Sequence, residues 1–139
     1  MKRFSLSLSI VLFLLGWWNP AIGIAEPYLL TVQQLKAGLD KAAQPQQKGF
    51  VLVDVRSPNE HNSGFIPGTD VNIDFREIQV RHREIEANLD QHIVVYCQTG
   101  HRSNIAAETL IGLGYQHVYN VEGSMNAWEE AGYPIENTK

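Results

Sequence analysis

Apolar residues are distributed along the chain in short continuous runs that alternate with stretches of helical spacing. The continuous runs predict strands at 50–55, 71–73, 93–97 and 117–121. Apolar residues spaced three or four positions apart predict helices at 32–43, 76–89, 103–113 and 124–131. Because strands that alternate with helices form parallel sheets, the pattern predicts an α/β fold with a mainly parallel central sheet of about five strands and helices on both faces.

Two polar loops follow predicted strands. Segment 56–70 (RSPNEHNSGFIPGTD) is rich in Pro, Gly, Asn and Ser, and it is predicted to be a long loop. Segment 97–103 (CQTGHRS) joins a strand to a helix within a few residues. Because parallel sheets carry their functional sites at the carboxyl ends of their strands, both loops are expected at the same edge of the sheet.

Residues 1–25 have the features of a secretory signal peptide. A basic start (MKR) is followed by an apolar run over 6–18 that only small residues interrupt, and small residues precede a cleavage position after Ala25. We therefore expect an exported, periplasmic or extracellular protein whose mature domain comprises residues 26–139. The alternative is an uncleaved membrane anchor, although the apolar core is shorter than the roughly 20 residues that span a bilayer.

The charge balance becomes more acidic when the leader is removed. The chain has 11 basic and 15 acidic side chains, and without the two basic residues of the leader 9 remain against 15, a formal net charge of −6. Proteins that bind nucleic acids or membrane surfaces by electrostatics carry a basic face, and the sequence has no basic cluster. We expect neither nucleic acid nor, after signal cleavage, a membrane among the partners.

Cys97 is the only cysteine of the chain, and it stands at the end of a predicted strand. A single cysteine cannot form a disulfide within its own chain. Cys97 is therefore either a buried apolar residue or a free reactive thiol. The histidines at positions 61, 82, 92 and 117 show no metal-ligand spacing, and we expect no metal site and no cofactor.

Loop 97–103 has the composition of an anion cradle. Gly100 supplies backbone freedom for the turn, and a loop that curls round Cys97 aims its successive backbone N–H groups inward. The amino end of the next helix and the nearby guanidinium of Arg102 add positive charge. A thiol in this setting has a lowered pKa and is a nucleophile at neutral pH. His101 is a further candidate donor, with simple solvation as the alternative.

Three ordered motifs resemble the rhodanese (sulfurtransferase) domain family over essentially the whole mature chain. The pattern C-x-x-G-x-R-S at 97–103 is similar to the active-site loop of that family. The segments DVRS at 54–57 and GFIPG at 64–68, with Glu60 between them, are similar to its first signature. Its closing signature is matched by Gly123, Trp128, Gly132 and Pro134.

Three positions depart from the family pattern. Phe65 stands where the family usually has histidine, and His61 stands where an aromatic residue is common. Glu122 replaces the first of two usual glycines. None of these positions lies in the cysteine loop, so the departures concern local geometry more than fold or chemistry.

The resemblance implies a rhodanese-like three-layer sandwich and a two-step sulfur transfer. The Cys97 thiolate would take sulfur from a small anionic donor, thiosulfate or a persulfide, and pass it from its own persulfide to cyanide or to a thiol. Arg102 would attract the donor, and the cradle would stabilise the persulfide charge. The cradle comprises Gln98, Thr99, Gly100, His101, Arg102 and Ser103.

Asp54, Arg56 and Glu60 are candidate supporting residues at the same edge. Asp54 and Arg56 are expected to hold the two loops together by hydrogen bonds and an ion pair, with a catalytic role as the alternative. Glu60 is expected to pair with Arg102 or Arg56. Arg76 is either a further ligand of the donor or an exposed residue at the start of a helix.

Two other functions stay open. Cysteine phosphatases and arsenate reductases also hold an anion in a Cys…Arg loop, but their spacing is one residue longer than the four that lie between Cys97 and Arg102. A shorter loop encloses a smaller cradle, which favours a sulfur atom over a whole phosphate. The other alternative is a persulfide carrier or binding module without turnover.

Overall fold

The computed structural model describes residues 27–42 and 47–138, and the predicted signal peptide at 1–25 lies outside these described residues. The strands are β1 (Tyr28–Leu30), β2 (Phe50–Asp54), β3 (Val71–Asn72), β4 (His92–Tyr96) and β5 (His117–Val121). The helices are α1 (Val32–Lys41), α2 (Pro58–Ser63), α3 (Ile78–Arg81), α4 (His101–Gly112) and α5 (Ser124–Glu130). A 3₁₀ turn at His82–Ile85 follows α3 directly.

The five strands form one sheet in the order β1-β5-β4-β2-β3, and every neighbouring pair is parallel. The register aligns Asp54 at the end of β2 with Tyr96 at the end of β4. The carboxyl ends of these strands therefore lie at one edge, next to each other. The predicted α/β fold with a parallel central sheet is confirmed.

Each face of the sheet packs against its own set of helices. Ile93, Val95 and Cys97 face the side that α3 and α4 cover. Val94 and Tyr96 face the side that α1 and α5 cover. Burial of an apolar side chain of this size contributes about 1.5–3 kcal/mol. The two apolar cores thus hold three layers together, as the sequence pattern predicts.

The sequence pattern does not predict strand β1. It has only three residues, of which Tyr28 is 57% and Leu29 is 66% exposed. A strand this short at a sheet edge shows no periodicity that sequence reading can detect. It exists because β5 offers an open edge, and Leu30 aligns there with Val121.

Helix α2 interrupts the segment that is predicted to be a long loop, so that prediction is wrong for residues 58–63. The Ser57 hydroxyl accepts a hydrogen bond from the Glu60 N–H, and the Glu60 carboxylate accepts one from the Ser57 N–H. Pro58 occupies the first turn, where its missing N–H costs nothing. This capping box starts a helix despite the high content of loop-forming residues.

The predicted helix at 76–89 is also wrong in its extent. Only Ile78–Arg81 is α-helical, the 3₁₀ turn follows, and Glu86 has a left-handed φ of 55°. Ile78 and Ile85 are buried as the pattern predicts, whereas Leu89 is 51% exposed. The 3₁₀ turn is tighter than an α-helix, so residues after it leave the apolar stripe.

Within the two described ranges, no helix has the length and apolar character needed to cross a membrane.

Candidate active site

The two loops singled out by the sequence meet at the carboxyl edge of the sheet. Cys97 follows directly on β4, and Val55 follows on β2. The Val55 N–H donates a hydrogen bond to the Tyr96 carbonyl at 2.9 Å, which joins the two chain segments where they leave the sheet. Cys97 is 1% exposed. The thiol therefore lies in the interior, beneath the loop that follows it.

The Cys97 sulfur accepts hydrogen bonds from its own loop. The Gly100 N–H donates to Sγ at 3.1 Å, and the Ser103 hydroxyl lies 3.3 Å from it. Burial by itself raises the pKa of the Cys97 thiol. The hydroxyl of Ser103 and the backbone N–H groups of Ser103, Gly100 and Thr99 outweigh burial, so that the pKa lies below its ordinary value. The loop geometry thus stabilises a thiolate.

Gly100 makes this geometry possible. Its φ of +101° lies in a region that favours glycine, and it turns the chain from the strand into α4. The Gly100 carbonyl accepts a hydrogen bond from Asn104 N–H at 3.1 Å, which begins the helix. The amino end of α4 therefore lies beside the sulfur and adds partial positive charge.

The first turn of α5 holds the cysteine loop from the other side. Ser124 Oγ accepts from the Cys97 N–H at 3.1 Å, and the Met125 N–H donates to the Cys97 carbonyl at 3.1 Å. The Asn126 N–H donates to the Gln98 carbonyl at 3.0 Å, and the side chains of Gln98 and Asn126 are joined at 2.6 Å. These anchoring residues are not predicted from the sequence, because they lie about 27 positions away along the chain.

A buried amide supports the loop from the sheet. Asn120 on β5 is 5% exposed; its Oδ1 lies 2.6 Å from the Ser103 hydroxyl, and its Nδ2 donates to the Gly100 carbonyl at 3.1 Å. Asn120 is not predicted as a site residue either. A signal was present, because asparagine is depleted in strands and this one interrupts an apolar run.

Arg102 in the first turn of α4 pairs with Glu60 in α2. Its Nη1 and Nη2 donate to the two carboxylate oxygens at 2.9 and 2.8 Å. The hydrogen bond from Arg102 lowers the pKa of Glu60 and is the largest influence on it. Burial acts in the opposite direction, and the pKa falls to about 2. Glu60 in turn raises the pKa of Arg102, and the nearby Cys97 charge adds to this increase. Glu60 thus pairs with one of its two expected partners.

Asp54 and Arg56 form a buried ion pair at the end of β2. The Arg56 Nη2 donates one hydrogen bond to Asp54 Oδ2 at 2.7 Å and a second to the Gly64 carbonyl at 2.6 Å. Their side chains are only 4% and 0% exposed. His61 Nδ1 lies 2.9 Å from the same carboxylate, and its ring stacks on Phe65 at 4.4 Å. The two aromatic departures from the family pattern are therefore in direct contact with each other.

The side chains of the remaining candidates are exposed or bonded to groups other than the sulfur. His101 is exposed at the start of α4. Gln98 Oε1 lies 3.5 Å from Arg56 Nη1, which links the two loops weakly. The Arg76 side chain is 72% exposed and forms a bidentate pair with Asp74, at 2.9 and 2.6 Å.

A cavity of about 420 Å³ opens beside the cysteine loop. Its wall combines the loop, α2 and α5, and it is lined by Arg56, Asn59, Glu60, Ser63, Gly64, Gln98, Met125, Glu129 and Ile135. Gln98 of the cysteine loop lines the cavity and Cys97 does not, so the cavity offers room for a substrate beside the loop rather than at the sulfur itself. In the part of the chain that the structure describes, no group of three His, Cys, Asp or Glu side chains is placed to hold a metal ion.

Comparison with known proteins gives consistent matches. A family model for the rhodanese-like domain matches residues 31–131. The thiosulfate sulfurtransferase GlpE of Pseudomonas syringae is 38% identical over 100 residues, which cover 72% of this chain and 91% of that protein.

Solved structures agree with this assignment. A rhodanese-related protein from Thermoplasma volcanium superposes with a TM-score of 0.64 at 30% identity, covering 80% of this chain and 99% of that one. A protein from Rhodopseudomonas palustris, described as a possible tyrosine phosphatase, superposes with a TM-score of 0.67 at 29% identity, covering 79% and 85% of the two chains. The sheet, the cysteine loop and the family match together show that this chain belongs to the rhodanese-like domain family.

Proposed function

We propose that the protein is a sulfurtransferase that moves sulfane sulfur from a small anionic donor to a thiophilic acceptor through a persulfide on Cys97. The observation that carries the proposal is the ring of donors around the Cys97 sulfur, which includes the Gly100 N–H at 3.1 Å and the Ser103 hydroxyl at 3.3 Å. These groups favour negative charge on sulfur, and both halves of the reaction need that charge. The relatives named as thiosulfate sulfurtransferases support the same chemistry.

The reaction has two balanced steps. In the first, the Cys97 thiolate attacks the outer sulfur of thiosulfate, the S–S bond of the donor breaks, and sulfite leaves with its electron pair. In the second, cyanide or a thiolate attacks the terminal sulfur of the persulfide, and the Cys97 thiolate leaves. The chain is unchanged at the end of the cycle, and no cofactor or outside oxidant is consumed.

Burial restricts the donor. Because Cys97 is only 1% exposed, a donor can approach its sulfur over a small solid angle. This supports a slender donor, such as thiosulfate or a hydropersulfide, over a bulky one. The Arg102 side chain is 30% exposed and its charge is balanced by Glu60. We assign Arg102 to attraction and orientation of the anionic donor rather than to direct contact with Cys97.

A cysteine phosphatase is the second candidate, and the similarity to the Rhodopseudomonas palustris protein is the observation that favours it. The loop argues against it, because its inward N–H groups already converge on the sulfur atom itself and leave little room for a phosphate. A persulfide carrier with slow turnover is a further alternative. The presence of both Cys97 and Arg102 supports a domain that still transfers sulfur over a domain that only binds a partner.

Export is part of the proposal. A lone low-pKa thiol outside the cytoplasm meets oxidants and has no second cysteine in its chain to resolve a sulfenic acid. Capping as a persulfide protects such a thiol, which suits a sulfur-transfer protein of the periplasm or the extracellular space. Mass spectrometry of the protein recovered from the exported fraction tests the location, and we expect a mass that lacks residues 1–25.

Intact-mass spectrometry of the purified chain tests the chemistry. After incubation with thiosulfate we expect one added sulfur atom, which cyanide removes, and no addition in Cys97→Ser with an unchanged circular dichroism spectrum. A sulfur adduct on Cys97→Ser would assign the nucleophile elsewhere.

Steady-state turnover distinguishes the three functions. Continuous thiocyanate formation from thiosulfate and cyanide indicates the enzyme, whereas a single sulfur adduct without turnover indicates the carrier. Hydrolysis of p-nitrophenyl phosphate that is lost in Cys97→Ser would indicate the phosphatase and would overturn the proposal.

A further inference from the structure

The Ser103 hydroxyl has two acceptors for one proton. Ser103 is fully buried, and its Oγ lies 2.6 Å from Asn120 Oδ1 and 3.3 Å from Cys97 Sγ. A serine hydroxyl carries a single hydrogen, so it cannot donate to both at once. The neighbouring hydroxyl of Ser124 does not relieve the competition, because it donates to the Val121 carbonyl at 2.9 Å.

The orientation of the Asn120 amide follows from its other contact. Its Nδ2 donates to the Gly100 carbonyl at 3.1 Å, and a flipped amide would oppose two oxygen atoms there. Oδ1 therefore faces Ser103, and an oxygen pair at 2.6 Å requires the Ser103 proton between its members. While the thiol is uncharged, the Ser103 hydroxyl thus donates its hydrogen bond to Asn120 Oδ1.

We propose that Asn120 is a positioning residue that competes with the Cys97 sulfur for the hydroxyl proton of Ser103. When Cys97 becomes a thiolate or a persulfide anion, the negative charge draws the proton to sulfur, where it forms a charge-assisted bond. Asn120 Oδ1 is then left buried without its donor, which opposes ionisation. Asn120 thereby limits how strongly the cradle holds negative charge, so that the sulfur can also be surrendered.

This role differs in sign from simple support of the loop. A residue that only props up Gly100 would, on removal, loosen the N–H groups around the sulfur and raise the thiol pKa. Removal of a competitor frees the Ser103 proton for sulfur and lowers the thiol pKa. The two effects separate in a double-mutant cycle with Ser103→Ala, because loosening acts in both backgrounds and competition acts only where the hydroxyl is present.

The experiment measures the rate of iodoacetamide alkylation against pH, and the lone cysteine makes the signal specific. In the background that keeps Ser103, Asn120→Ala should lower the alkylation midpoint by about 0.7–2 pH units relative to its effect in the Ser103→Ala background. The size follows from the cost of an unsatisfied buried amide oxygen. Equal shifts in both backgrounds would overturn the proposal. Asn104→Ala is the matched control, since its side chain bonds Glu108 on the exposed side of α4, and it should leave the midpoint unchanged.

A measurement on the unmodified chain covers the case in which Asn120→Ala does not fold. The ¹³C shift of the Asn120 side-chain carbonyl should titrate with the alkylation midpoint of Cys97, and this titration should shrink in Ser103→Ala. A carbonyl shift that does not change through the midpoint would contradict the proposal. The inference rests on the proposed function only because it needs an ionised Cys97. Alkylation needs no sulfur donor, so a failure of this inference can be distinguished from a failure of the sulfur-transfer assay.

Discussion

The guanidinium of Arg102 in the first turn of α4 and the carboxylate of Glu60 in α2 form a two-bond pair, at 2.9 and 2.8 Å, although the two residues lie 42 positions apart in the chain. This pair ties the cysteine loop to α2. It also directs the guanidinium to a carboxylate, while the hydrogen bonds that stabilise the Cys97 thiolate come from Ser103 and the loop backbone. The proposed function therefore assigns electrostatic attraction of the donor and stabilisation of the nucleophile to different residues.

Arg102→Ala should weaken use of the donor more than it changes the thiol. We expect kcat/KM for thiosulfate to fall about tenfold, through a higher KM, because one interaction of about 1.4 kcal/mol with the anion is lost. The alkylation midpoint of Cys97 should move less than it does in Ser103→Ala. Arg102→Lys should restore part of kcat/KM, and Arg83→Ala, which removes an exposed cation elsewhere, should have no effect. An unchanged KM in Arg102→Ala would remove this residue from donor binding.

Loss of the Glu60 charge should have a pH-dependent effect on stability. The Glu60 pKa falls from an ordinary 4.5 to about 2, so its pairing stabilises the fold fully above about 4.5 and is lost as the pH falls through about 2. Glu60→Gln keeps the capping-box geometry and removes only the charge. The free energy of unfolding of wild type minus that of Glu60→Gln should be at most about 1 kcal/mol near neutral pH, since the Glu60 side chain is 36% exposed.

Urea unfolding of both proteins at pH values between 2 and 6 provides the measurement. The difference between them should shrink towards zero as the pH falls. A difference that stays constant down to pH 2 would show that the ion pair does not link the loops in solution.

Gly100→Ala should damage the site, while Gly112→Ala should not. Gly100 has a φ of +101°, whereas an added Cβ would lie 3.5 Å from Gly123 N and the Val121 carbonyl, which is ordinary van der Waals contact, so the damage would come from the backbone conformation. The left-handed backbone costs a residue with a side chain about 1–2 kcal/mol, and any relief of that strain turns the N–H away from sulfur. Gly112 lies in α4 with no atom within 4 Å of an added Cβ, so alanine should stabilise there by up to about 1 kcal/mol.

Thermal unfolding and the alkylation profile measured on both glycine variants check this. We expect a lower melting temperature and a raised thiol midpoint for Gly100→Ala only. Equal behaviour of the two variants would indicate that the loop does not depend on the left-handed turn.

Asp54→Ala should be among the most destabilising single changes at the edge. It leaves the Arg56 guanidinium, whose side chain is 4% exposed, without its carboxylate partner. Loss of one member of a buried pair costs about 3–5 kcal/mol. The matched control is Asp40→Ala, which breaks a Lys36–Asp40 pair whose aspartate is 61% exposed and should cost less than about 1 kcal/mol. Urea unfolding of both variants compares them directly, and similar losses would refute a structural role for Asp54.

The alternation of apolar runs and helical spacing was enough to predict the layers of this fold. A continuous run such as 93–97 is recognisable because a strand buried on both faces needs apolar side chains on both. The errors occurred where tertiary contacts overrode local pattern. β1 exists because β5 has an open edge, and the helix after β3 is shortened because a 3₁₀ turn already buries Ile85.

The candidate site divides in the same way. The cysteine loop was recognisable because its residues are contiguous and each has a local chemical reason to be there. Asn120 and Ser124 were not recognisable as site residues, since their contacts with Ser103 and Cys97 depend on how β5 and α5 pack. Tertiary structure also determined which of its two expected partners Glu60 binds, Arg102 rather than Arg56.

By itself, then, the sequence determined an α/β sheet, the edge where a site would form, and a lone cysteine at the head of a glycine turn. These are consequences of residue period and local backbone preference, which act over a few positions. Only the tertiary structure decided how Ser124 and Asn120 hold the cysteine loop and which carboxylate Arg102 binds, because hydrogen bonds between segments 20 to 42 positions apart exist only after the layers have packed.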